Sequence, residues 1–443
     1  MRISIWLAFL VGLTAIVLSG CSNSSEPGGE VHGVGVPANG SPYVVFAWND
    51  LGMHCLNPSY DQAVILPPYN TVWAQVIKRG NPPEIVTQGL TVEYRMVGNT
   101  FSYGKGLTSR HENFSQFWDN SQALFGIALE HDKGLNLEDP ALHNGLSGAM
   151  VLKGDHFQVN GIPVTPVDDA DVWNPYQVIE VTVKSGGNVV AQTRATVPAS
   201  DEIHCAKCHG SATVDPFVDI LQKHDQKHST ALAARAPVLC ADGVCHSSPA
   251  LGQAAPGPDG YLSQAIHGAH ASRDAACADC HPGAVTQCNR SLAHTAADGN
   301  CTACHGTLAQ VASSIEAGRV PWVEEPKCVS CHTGVQGVDT QTLLYRNAKG
   351  HGAMYCAACH DSPHAMYPSR EATDNHQPIQ YQSVAKTIGS CGVCHGDSRG
   401  AGASEFGEKH GGTNGRPTAC RVCHTVVPTD SAEWPHGYTW KSH

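Results

Sequence analysis

Sixteen of the chain's 19 cysteines fall into one repeated pattern. Cys-x-x-Cys-His occurs seven times, at 205–209, 277–281, 301–305, 328–332, 356–360, 391–395 and 420–424. An eighth copy, Cys240-Ala-Asp-Gly-Val-Cys245-His246, is two residues longer. The chemistry of the pattern is specific. Two thiols at this spacing add across the vinyl groups of a haem, and the histidine that follows gives an imidazole nitrogen to its iron. One helical turn puts positions i, i+3 and i+4 on a single face, as the three bonds require. The longer copy has to bulge or loop to do the same. A lone Cys-x-x-Cys would equally fit a zinc knuckle, a redox dithiol or a disulfide. None of those needs a histidine after the second cysteine, and here every copy has one. The expectation is eight covalently bound haem c groups. Their thioethers would come from Cys205, Cys208, Cys240, Cys245, Cys277, Cys280, Cys301, Cys304, Cys328, Cys331, Cys356, Cys359, Cys391, Cys394, Cys420 and Cys423. Their proximal iron ligands would be His209, His246, His281, His305, His332, His360, His395 and His424.

The second axial ligand decides what such an iron does. Between Ser200 and the C-terminus lie 20 histidines, of which twelve are spare, against only two methionines, Met354 and Met366. Histidine is therefore the expected second ligand. That makes the irons six-coordinate and low in potential relative to Met/His iron. The best-placed candidates are His224 and His228 before the long motif, His267 and His270 as His-x-x-His before Cys277, His351 and His364 on either side of the sixth motif, His410 and His436. His204 abuts Cys205, so it can cap only another haem. The sequence does not pair any of them with a particular iron.

The elements that must position these groups divide the chain in two. Eight motifs in about 240 residues leave too little polypeptide per haem for an independent core. Residues 200–443 are expected to be short helices and loops wrapped around haems, with little regular secondary structure. The motif starts fall 35, 37, 24, 27, 28, 35 and 29 residues apart, so this is not a fixed-period solenoid. Residues 42–199 contain no motif and one cysteine. Strand-like runs recur there at 43–48, 72–77, 90–97, 178–183 and 189–197. Gly186-Gly187 between the last two marks a hairpin, and 114–129 is a candidate helix. An all-β, sandwich-like domain is expected.

Arg2 followed by an apolar run and Leu18-Ser19-Gly20-Cys21 resembles a lipoprotein-type signal peptide over 1–20. The resemblance implies lipidation of Cys21. The Gly/Pro/Ser-rich residues 21–41 then form a flexible tether. The net charge of −12 with only 27 Lys and Arg argues against a nucleic-acid partner. Cys55 and Cys288 are left over. In an oxidising compartment they invite a disulfide; two buried free thiols is the other reading, and both stay open. Met53-His54-Cys55 also raises a copper site, a histidine satisfied within a structured turn, or a histidine reaching a haem. Copper would want a second histidine, and neighbours on a strand face opposite ways.

The motif set resembles that of the exported multihaem, here octahaem, c-type cytochromes of metal-reducing bacteria. Other stretches carry the same resemblance: Pro237-Val238-Leu239-Cys240, His281-Pro282-Gly283 with Thr286-Gln287-Cys288, and Cys359-His360-Asp361-Ser362-Pro363-His364-Ala365. Phe46-Ala47-Trp48-Asn49-Asp50-Leu51-Gly52-Met53-His54-Cys55 looks like a module that accompanies such proteins. The family implies haem attachment outside the inner membrane and a place at the outer membrane or cell surface, more than in the periplasm. It implies an electron-transfer protein, not an enzyme. Partners would be other cytochromes or a terminal acceptor: a mineral, an electrode or a soluble oxidant. A second reading is an octahaem redox enzyme with one open iron, of the hydroxylamine oxidase or of the nitrogen- or sulfur-oxyanion reductase type. No Cys-x-x-Cys-Lys occurs, and the spare histidines leave no shortage of ligands. A third reading makes the β domain the working end, binding a partner or a neighbouring copy in a filament.

Overall fold

The run Tyr43-Val-Val-Phe-Ala-Trp48 carries no charge and no polar/apolar alternation, which is the pattern of a strand covered on both faces. In the computed structural model it is β1 (Tyr43–Asn49), and its two faces enter two different cores. Val45 and Ala47 point into the interior between two sheets. Val44, Phe46 and Trp48 point the other way, against Tyr345, Tyr355, Ala357 and Ala358 of the motif-bearing part. The structure describes residues 41–80, 82–273, 275–283, 285–294, 300–331, 344–390 and 392–395, all within one compact unit.

The remaining strands are β2 (His54–Cys55), β3 (Ala63–Val64), β4 (Asn70–Lys78), β5 (Glu84–Ile85), β6 (Thr91–Val97), β7 (Ser147–Ala149), β8 (Val151–Lys153), β9 (His156–Ile162), β10 (Tyr176–Ser185), β11 (Asn188–Ser200) and β12 (Val238–Leu239). One sheet has the order β1-β4-β9-β8, with β5 added to β4; the other runs β2-β11-β10-β6-β7. Val72, Ala74, Phe157 and Val159 of the first sheet and Val92, Tyr94, Ile179, Val181 and Val197 of the second share one buried cluster. The chain is thus β-rich first and short-helical afterwards. The β10–β11 hairpin turns at Gly186 and Gly187, both at positive φ (55° and 84°), as a two-residue turn matched to strand twist requires.

One expectation needs correction, and one strand was not foreseen. The segment 114–129 is not one helix but two, α1 (Ser115–Asp119) and α2 (Ser121–Phe125), broken at Asn120 (φ −106°, ψ 4°). The Asn120 side chain donates to Tyr60 O, so it fastens a bend where a continuous helix would place it in solvent. β9 is an unexpected strand. Its sequence, His-Phe-Gln-Val-Asn-Gly-Ile, looks half polar, yet every residue is buried.

Beyond β11 the helices are α3 (Pro216–His228), α4 (Leu262–His270), α5 (Asn300–His305), α6 (Leu308–Glu316), α7 (Cys356–His360), α8 (His376–Gln382) and α9 (Gly392–His395). α3 starts on an Asp215 cap that accepts from Phe217 and Val218 N–H, with Pro216 in its first turn, a strong start signal. α8 covers β1, which ends its sheet. Ala47 N–H donates to Gln377 Oε1 at 3.0 Å, and the Tyr381 hydroxyl donates to Val45 O. An otherwise open strand edge is thereby closed. Among the described residues no helix is long and apolar enough to cross a membrane.

Candidate cofactor-binding site

Each described Cys-x-x-Cys-His motif folds as about one helical turn. The motifs beginning at Cys205, Cys277 and Cys328 are short 3-10 turns, and those at Cys301 and Cys356 lie in α5 and α7. His209 N–H donates to Cys205 O and His281 N–H to Cys277 O, both at 2.9 Å. Both cysteines and the histidine are thereby gathered on one side. The long motif does not form such a turn. Val244 N–H is held by Asp242 Oδ1 and Gly243 N–H by His246 O, so the extra residues loop out. Its start is pinned to the β-rich part: β12 pairs in parallel with β3, and Cys240 N–H donates to Val64 O at 2.8 Å.

Three histidines outside the motifs lie near three motif histidines. The ring centres of His209 and His270 are 6.1 Å apart, those of His267 and His281 6.2 Å, and those of His305 and His364 6.2 Å. The ring planes differ by 73°, 14° and 18° respectively. A metal bound between two imidazoles at about 2.0 Å each, with about 1.1 Å from nitrogen to ring centre, sets the centres about 6.2 Å apart. These pairs are too far apart for stacking contact, and their centre-to-centre distances are those that two imidazoles holding one metal ion would have.

The second nitrogen of each facing histidine is also fixed. His267 Nδ1 meets Ser263 O and His270 Nδ1 meets Ile266 O, both at 2.7 Å, while His364 Nδ1 meets Leu51 O at 2.9 Å. A carbonyl can only accept, so Nδ1 carries the proton and Nε2 is left with its lone pair for a metal. His209 Nδ1 is held at 3.1 Å by Asp219 Oδ2 from α3. Burial pulls His364 down to about 4 and also lowers His281 and His305. Their rings are therefore neutral near pH 7, as ligation demands.

His224 lies within electrostatic reach of His246, and its Nδ1 meets Thr230 Oγ1 at 3.1 Å. His228 stands 4.7 Å from His224 on the same helix. The motif cysteines are neighbours in turn. Cys240 lies near Cys205, Cys205 and Cys208 near Cys280, and Cys277 near Cys301. Cys328, Cys356 and Cys359 gather around buried Tyr345. Burial raises Cys205 to about 11 and Cys240 and Cys359 to about 12. That is the opposite of the lowered thiol a redox dithiol uses.

His54 is a satisfied residue: its Nε2 is 2.9 Å from Asp50 Oδ1, both buried. Among the described residues no group of three or more His, Cys, Asp or Glu side chains converges as a metal site. Cys55 and Cys288 are separate thiols within electrostatic reach of each other, each raised chiefly by burial. Cys21, His332, Cys391, Cys420, Cys423, His424, His410 and His436 lie outside the described residues, as does the side chain of His351.

Two features escaped sequence reasoning. His267 and His270, three residues apart on α4, face different motifs. The Asn49–Cys55 stretch contributes a backbone carbonyl, not a side chain. No signal in the sequence announces that carbonyl. Compared with known protein families, curated proteins and solved structures, the chain matches none of them.

Proposed function

We propose that the chain is an exported octahaem c-type cytochrome. In this reading a two-sheet, sandwich-like domain (42–199) carries a haem-packed domain (200–443), and electrons pass along closely spaced bis-histidine irons. The observation that carries it is the set of three histidine pairs 6.1–6.2 Å apart, each joining an attachment histidine to one whose Nδ1 is tied to a carbonyl. Bound haem would supply reversible one-electron transfer; the protein's part is spacing, burial and ligand identity. The cysteines hold the groups, and Asp219, Ser263, Ile266 and Leu51 orient the imidazoles. The succession of neighbouring motifs from Cys240 to Cys301 keeps the groups close. Two histidines on an iron would leave no open position for substrate, and the three pairs described favour a conduit over an octahaem enzyme.

The proposal extends to a lipid anchor at Cys21, a place at the outer membrane or cell surface, and other cytochromes or a terminal oxidant as partners. Electron paramagnetic resonance of the oxidised protein tests the central claim. Every iron is expected to be low-spin and unchanged by cyanide, nitrite or carbon monoxide. A stoichiometric high-spin iron that binds a small ligand would replace the conduit with an enzyme.

A further inference from the structure

We propose that the Asn49–Met53 loop of the β-rich part is the positioning shell of His364, and through it sets the reduction potential of the haem attached at Cys301 and Cys304. The inference rests on the haem reading above. His267 and His270 give their Nδ1 protons to carbonyls four residues back in their own helix. His364 instead depends on Leu51 O, 313 residues away in sequence. That carbonyl is held from several sides. Asn49 Oδ1 accepts from Leu51 N–H at 3.2 Å and from Gly52 N–H at 2.7 Å, closing an Asx turn. Asn49 Nδ2 donates to Thr71 O at 2.9 Å, anchoring the turn to β4. Gly52 O accepts from Arg290 Nη1 at 2.7 Å, and Arg290 is fixed by Asp374.

Only glycine fits at position 52. Its φ is +80°, and an added Cβ would stand 2.5 Å from Ser362 Oγ and 3.3 Å from His364 Cβ. The loop therefore packs against Ser362 and His364 with no room for a side chain at this position.

A carbonyl that accepts the Nδ1 proton makes the imidazole a stronger donor to iron, which favours the ferric state. Loosening the turn should raise the potential of one haem. Outer-shell partners of this kind change metal affinity by about tenfold or more. A tenfold loss of ferric over ferrous preference is about 59 mV for one electron.

The experiment is spectroelectrochemical titration of the full holoprotein, wild type against Asn49→Ala and Asn49→Ser. One haem should move up by about that amount in Asn49→Ala and return most of the way in Asn49→Ser, which keeps an acceptor oxygen. The inference is overturned if no potential moves, if all move together, or if Ser is no better than Ala. Should Asn49→Ala fail to fold, Gly52→Ala displaces the same carbonyl and is read in the same way. His364→Ala separates the two layers of the argument. One new high-spin iron there, with unmoved potentials in the loop variants, removes only the loop inference. No new high-spin iron removes the ligand assignment and the loop inference with it.

Discussion

Asp374→Ala should destabilise the protein by about 3 kcal/mol. Arg290 and Asp374 have side chains only 2% and 0% exposed. The guanidinium donates from Nε to Asp374 Oδ2 at 2.8 Å and from Nη2 to Oδ1 at 3.2 Å, while Ser369 Oγ donates to Oδ2 at 2.6 Å. Removing one partner of a buried pair strands the other charge and costs about 3–5 kcal/mol. The lower end applies because a substitute carboxyl is near. Asp361 is fully buried and its pKa is raised, first by burial and then by the charge of Asp374. With Asp374 gone, Asp361 can ionise and face Arg290 in its place. Guanidinium unfolding of the holoprotein followed by far-UV circular dichroism gives the number. Arg290→Met with Asp374→Leu should cost less than Asp374→Ala alone, because no charge is left unpaired. Asp361→Asn added to Asp374→Ala should cost more. A loss below about 1 kcal/mol in Asp374→Ala, the ordinary value of an exposed pair, would refute the buried-charge argument.

Intact mass under denaturing conditions should correspond to eight covalent haems; seven would remove the looped 240–246 motif from the set. Non-reducing peptide mapping decides between the two readings of Cys55 and Cys288, which are separate thiols in the structure: a linked pair, two thiols having lost two protons and two electrons to the thiol oxidants of an exporting compartment, establishes the disulfide, and recovery of both as free thiols ends it. Cys21→Ser should release the protein from membranes, and unchanged membrane association would exclude the anchor. Glu112 is raised to about 8 by burial and then by Asp201, so the folded state keeps a proton that the unfolded chain loses near pH 4.3. Stability contributed by this group is full below that range and falls as pH rises toward 8. Glu112→Gln should flatten that slope in unfolding measured from pH 5 to 8, and an unchanged slope would place its cause elsewhere.

The legible parts of the chain were those whose physics is local. Strands β1, β4, β6, β10 and β11 announced themselves through β-branched and aromatic runs. The β10–β11 turn did so through Gly186-Gly187, and the motif turns through spacing alone. β9 was hidden because His156, Gln158 and Asn160 look solvent-facing. They are buried among partners that only the fold supplies: His156 Nδ1 meets the Tyr355 hydroxyl at 3.0 Å, and Gln158 donates to Glu138 Oε2. The histidine pairs were half legible. Supply and demand pointed to histidine, and His267, His270 and His364 stood out by position. Which ring faces which depends on how α4 and the segment after α7 fold back, and no short-range pattern encodes that.

The β-rich part is more than an appendage to the histidine array. Among the described residues, the apolar clusters of the motif-bearing part are completed from the β-rich part: Phe217 and Leu221, with partly buried neighbours such as Ile220 and Leu232, close on Ala63 from β3. Its larger cluster leans on Val44, Phe46, Trp48 and Ile77. Backbone contacts repeat the dependence at β12 on β3, at Gly80 N–H to Cys394 O, and at Leu51 O to His364. The short helices of the motif-bearing part therefore pack on a hydrogen-bonded strand, β1, whose two faces are both buried, one in the core between the sheets and one against Tyr345, Tyr355, Ala357 and Ala358. In the proposed reading that strand would be the rigid base on which the haem ligands are held.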